Sequence, residues 1–136
     1  MLKVQNIITQ ERLIKQYNLD VGKVFFYENY LITEIAEGTC FGFRTAKELT
    51  KLVHTHFKGR SFGYISHRIN SYSVVPTDYL SLKETFPNLE AFAVVAYDEV
   101  QLLNIDIENI FFSGNIKSFV NLNHASNWVL EKLGIL

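Results

Sequence analysis

The stretch Ala91-Phe92-Ala93-Val94-Val95-Ala96-Tyr97 is apolar at every position. A strand with one face in water alternates apolar and polar residues. One without alternation is buried on both faces, as in the interior of a parallel sheet flanked by helices. The run is also far shorter than the roughly 18 apolar residues needed to span a bilayer. It therefore predicts an inner strand of an α/β fold, and the rest of the chain is read around it.

Before it, Lys15–Val21, Lys23–Tyr27 and Tyr30–Ala36 are short runs rich in aromatic and β-branched residues, punctuated by Gly22 and Glu28-Asn29. They predict an antiparallel meander. Met1–Ile14 fits either a strand or a helix start. Thr45-Ala46-Lys47-Glu48 matches a capping box, in which a Thr hydroxyl and a Glu carboxylate satisfy each other's free backbone donors. Ala46, Leu49, Leu52, Val53 and Phe57 follow on one helical face, with Gly59 as a stop signal. Ser61–His67 reads as the next strand. Pro76 opens a short helix whose apolar face is Tyr79, Leu82 and Phe86, ended by Pro87-Asn88. After the buried run the sequence reads as turn-rich. Asn115–Val120 then reads as a polar edge strand. Leu122, Ala125, Trp128, Val129 and Leu133 give a final helix its inner face, with Asn123 as N-cap and Gly134 past its end. The expected fold is α/β: a mixed sheet with an N-terminal antiparallel meander and helices packed on it, in one domain over residues 1–136.

Three stretches carry a resemblance to a known family. They are Phe62-Gly63-Tyr64-Ile65-Ser66-His67-Arg68-Ile69-Asn70, a strand entering a polar loop; the buried run Ala91–Tyr97; and Phe119 followed by Leu122, Ala125 and Trp128. Together they resemble the STAS-like (SpoIIAA-like) superfamily over about the last 80 residues. The resemblance implies a stand-alone STAS-like domain acting as a non-catalytic regulatory or protein–protein interaction module. Lipid-binding relatives in that superfamily imply the alternative, a small binding protein for an apolar or lipid-like ligand. Phosphoregulated members carry an Asp-Ser-x-Gly switch after the matching strand. This chain has His67-Arg68-Ile69-Asn70-Ser71-Tyr72-Ser73 there, with no Asp-Ser and no Gly, which leaves Ser71 or Ser73 as the available hydroxyls.

Composition narrows the function further. With 13 basic and 14 acidic residues the net charge is −1, which lacks the basic excess that phosphate contacts demand of a nucleic-acid binder. A single cysteine, Cys40, forbids an intrachain disulfide and fits a reducing compartment; with its sequence neighbours it reads as a small apolar residue. Met1–Asn6 lacks a signal-peptide core, so a cytoplasmic location without a membrane span is expected. No cofactor motif and no metal-spaced cluster are present. His54 and His56 lie about 200° apart around a helix and cannot share one ion. Neither a Gly-x-Ser-x-Gly elbow nor a phosphate loop occurs, so catalysis is not expected. Glu34, within an apolar strand, reads as solvent-facing or as a working carboxylate.

The best candidate contact residues are Arg68, Asn70, Ser71, Tyr72 and Ser73. They follow a strand and precede a helix, the place where open α/β sheets bind ligands, though the same polar groups would also serve to cap the next helix. The expected partner is another protein. Alternatives are an apolar small molecule and a homodimer formed by Leu130, Ile135 and Leu136 at the C-terminal helix.

Overall fold

A computed structural model describes residues 11–113 and 115–136; the ambiguous start of the chain, up to Gln10, lies outside them. In chain order the strands are β1 (Lys15–Leu19), β2 (Gly22–Phe26), β3 (Tyr30–Ile35), β4 (Cys40–Phe41), β5 (Phe62–His67), β6 (Ser73–Val74), β7 (Leu89–Val95) and β8 (Ile116–Phe119). The helices are α1 (Lys47–Phe57), α2 (Tyr79–Thr85, entered through a 3-10 turn at Pro76–Asp78), α3 (Glu99–Phe111) and α4 (Leu122–Lys132).

Six strands form one mixed sheet in the order β1-β2-β3-β5-β7-β8. The first three are antiparallel, and the β3–β5, β5–β7 and β7–β8 pairs are parallel. The α/β character, the meander and the inner position of the apolar run are as expected. Val94, Val95 and Ala96 have no exposed surface, whereas Tyr97 lies past the strand and is 53% exposed. β4 and β6 form a separate two-residue parallel ladder, Cys40↔Ser73 and Phe41↔Val74.

The period of two in the strands divides the core. One face carries Val24, Phe26, Leu31, Phe62, Phe92 and Val94, and packs against α1 (Leu49, Val53, Phe57), α2 (Leu82) and α3 (Ile105). The other carries Tyr30, Ile32, Ile65, Ala91, Ala93 and Val95, and among the described helices packs against α4, through Ala125, Val129 and Leu130. Gly63 permits that contact: a Cβ there would lie 2.3 Å from Val129 Cγ1. Leu130 is thus 3% exposed and does not join a surface patch with Ile135 and Leu136, as the homodimer alternative required. The tail is tied back to it, because the Ile135 and Leu136 amides both donate to the Leu130 carbonyl.

Several local expectations are corrected. Thr45 does not cap α1, whose first residue follows Ala46 without a side-chain cap. Its hydroxyl donates instead to the Cys40 carbonyl (2.7 Å) and accepts from the Gly42 amide, closing the preceding turn. Asn121, not Asn123, caps α4 by accepting from the His124 amide. Cys40 is exposed rather than packed as an apolar residue. The segment expected to be turn-rich is the thirteen-residue helix α3. At the outer edge, the Asn109 side chain of α3 pairs with the β8 backbone: its Oδ1 accepts from the Ile116 amide (2.8 Å) and its Nδ2 donates to the Ile116 carbonyl (3.1 Å). No helix among the described residues is long and apolar enough to cross a membrane.

Candidate functional site

The carboxyl ends of β3, β5 and β7 carry polar side chains on both faces of the sheet. On the α4 face, the Glu34 carboxylate lies 3.1 Å from His67 Nδ1, and His67 Nε2 lies 2.7 Å from the Tyr97 hydroxyl. Glu34 therefore has a partner rather than facing solvent alone. Burial, then the Glu34 charge, raises the Tyr97 phenol above its usual value. Through the two nitrogens of the His67 ring, the contacts form one continuous chain from the Glu34 carboxylate to the Tyr97 hydroxyl. The chain ties the ends of β3, β5 and β7 together.

The opposite face holds a larger network around Arg68. Its side chain is 7% exposed, and the guanidinium forks onto Glu108 of α3, with Nη1 and Nη2 donating at 2.7 and 2.6 Å. Nε donates to Ser66 Oγ (3.2 Å), which shares a hydrogen bond with the Tyr72 hydroxyl (3.0 Å). Tyr79 donates to Glu108 Oε1 at 2.7 Å, and Tyr64 shares a hydrogen bond with Thr33 at 2.9 Å. The Tyr72 ring also lies against the guanidinium, 5.5 Å from its centroid. Burial pulls the guanidinium towards neutrality, but the Glu108 contacts outweigh it and hold its pKa above the ordinary value. Burial raises the phenols of Tyr64, Tyr72 and Tyr79, with Glu108 adding to the rise at Tyr79. The result is one balanced ion pair surrounded by neutral hydroxyls, a stable arrangement for charges out of water.

The five residues singled out from sequence divide accordingly. Arg68 and Tyr72 belong to this network. Asn70 donates to the Ile35 carbonyl, the Ser71 amide to Glu37 Oε1 and the Ser73 amide to the Thr39 carbonyl. These three bind the 68–76 loop to the end of β3 and the loop after it, and the hydroxyl-bearing Ser71 and Ser73 remain exposed. Two spaces adjoin the network. One is a cavity of about 110 Å³ between the sheet and α1 and α2, bordered by Ser66, Arg68, Tyr72 and Tyr79. The other is a groove of about 470 Å³ between the loop and α3, lined by all five residues together with Asp98, Glu99, Val100, Gln101, Asn104, Ile107 and Glu108.

Sequence reasoning missed α3, and with it Glu108 and an apolar surface. Val100, Leu103, Ile107 and Ile110 are 53–75% exposed. At about 100° per residue they fall within about 80° of arc, on the side opposite the buried Ile105 and Glu108. Glu99 and Asp106 border the stripe, and α3 contains no basic residue. A usable signal was present in Asp98-Glu99-Val100-Gln101. Asp98 caps α3 by accepting from the Gln101 amide, and Gln101 Oε1 accepts from the Tyr97 amide in return.

No family model, curated protein or solved structure matches the chain.

Proposed function

We propose that this protein is a non-catalytic interaction module of STAS-like type, and that α3 with the adjoining 68–76 loop is its contact face. The carrying observation is the exposed stripe Val100, Leu103, Ile107 and Ile110. A helix on the surface of a sheet needs one apolar face. α3 has two, and none of the described residues buries the second. A continuous exposed apolar strip with a polar border is the signature of a contact surface. The bordering carboxylates of Glu99 and Asp106, with Asp98 at the helix start, favour a basic amphipathic helix of another protein. A second copy of this chain suits the stripe less well, because an antiparallel two-fold pairing would set the acidic borders against each other.

A Leu/Lys amphipathic helical peptide, titrated calorimetrically, tests this reading. The wild type should bind it and should bind a Leu/Glu peptide with the same apolar face far more weakly. Leu103→Ser with Ile107→Ser should lower affinity at least about tenfold, about 1.4 kcal/mol, with the melting temperature little changed, since neither side chain supports the core. Equal binding of both peptides, or no loss in the double variant, rules out the face. A wild type that runs as a dimer in light scattering, and as a monomer after the same two changes, would assign the stripe to self-association instead.

A further inference from the structure

We propose that the cavity between the sheet and helices α1 and α2 is a binding site for a small, neutral, largely apolar molecule with about the bulk of one aromatic ring and a single hydrogen-bond acceptor. Protein interiors are packed as tightly as organic crystals, and voids much larger than a water molecule are few. This one is about 110 Å³, approaching the roughly 150 Å³ of a dry cavity that admits benzene in another protein. Its volume suits a ring or a short branched group and leaves no room for a long acyl chain.

The chemistry of the wall selects the rest. Leu49, Val53, Phe62, Phe86 and Phe92 present only carbon. Of the charged groups that border it, Arg68 is committed to Glu108 at 2.6 and 2.7 Å, and Asp78 is a carboxylate that accepts from the Phe43 amide. An anion placed there would meet no free cation. A hydrogen-bond acceptor would meet a donor: Ser66 Oγ accepts from Arg68 Nε, and when the serine hydroxyl donates to Tyr72, the phenol proton is left to reach into the cavity. Entry would run past Phe41 and Val74 of the two-residue β4–β6 ladder, which form part of the wall. So short a ladder opens more readily than the main sheet.

The test uses benzene, anisole (a ring with one acceptor) and hexanoate (an anionic chain), with melting temperature and the methyl resonances of Leu31, Leu49, Val53 and Leu82 as readouts. Benzene and anisole should raise the melting temperature saturably and shift these methyls, and hexanoate should do neither. Leu49→Phe, which fills the space, should abolish both responses; should that variant fail to fold, the smaller Val53→Ile should weaken them. Tyr72→Phe should weaken anisole several-fold and leave benzene unchanged. Absence of methyl shifts with either ring overturns the site, as does undiminished binding in the filled variants. Hexanoate binding as well as benzene overturns the neutral class, and equal loss of both rings in Tyr72→Phe overturns the acceptor. None of these outcomes depends on the α3 surface.

Discussion

Val94→Asp is expected to leave no cooperatively folded protein. Val94 has no exposed surface and lies in the layer shared with Val24, Phe92, Ala96 and Ile105. Its strand is paired on both sides, at Ser66 of β5 and Ser118 of β8, so the strand cannot turn the new side chain towards water without losing two ladders. A buried carboxylate without a partner costs several kcal/mol, and loss of the valine's own burial adds about 1.5–3 kcal/mol. A domain has only about 5–15 kcal/mol in total. Arg68, the buried cation on this face, is already paired with Glu108. Near-ultraviolet circular dichroism and thermal melting decide the matter: a native spectrum with a sharp melt would contradict the burial described above. Val94→Ala, which introduces no charge, should remain folded.

Removal of one member of the Arg68–Glu108 pair should be the next most damaging change. Glu108→Ala leaves Arg68, its side chain 7% exposed, with two donors unpaired, and it deprives the Tyr79 hydroxyl of its acceptor. Breaking such a pair on one side typically costs about 3–5 kcal/mol. Arg68→Met combined with Glu108→Leu removes both charges, keeps the volume, and should recover most of that loss, as paired apolar replacements often do. Urea denaturation of the two single variants and the double variant gives the comparison. A double variant no more stable than either single one would mean that the pair acts through packing rather than through its charges.

Much of the architecture was legible in the sequence because it follows from local rules. The unbroken apolar run required burial on both faces, and the aromatic and β-branched runs around Gly22 and Asn29 could form only short strands. The α4 stripe identified its helix, although Leu130 proved to be core, because the sheet and the tail together cover α4 over a wider arc than a single stripe suggests. α3 escaped for the opposite reason. Val100, Leu103, Ile107 and Ile110 on one side and Leu102 and Ile105 on the other blur any 3.6-residue period, and only the Asp98–Gln101 cap marks its start. The site was half legible. Arg68 and Tyr72 stood out by position, but Glu108 is 40 residues from its partner, and nothing local to a lone Glu between Ile107 and Asn109 indicates that it faces inward. Thr45 misled because a hydroxyl suited to capping a helix suits a turn equally well, and here the turn at Gly42 took it.

The Asn109 clasp on β8 has a consequence for solubility. An outer strand exposes a row of free amides and carbonyls, a template on which another chain can add and begin an aggregate. In β8, Ile116 turns its backbone away from β7, and the Asn109 carboxamide occupies both groups as an added strand would. β8 is also only four residues long and carries Lys117, and short length and lysine both discourage strand addition. With the ladder already begun by a side chain of the same molecule, an incoming chain finds the Ile116 rung of that edge taken.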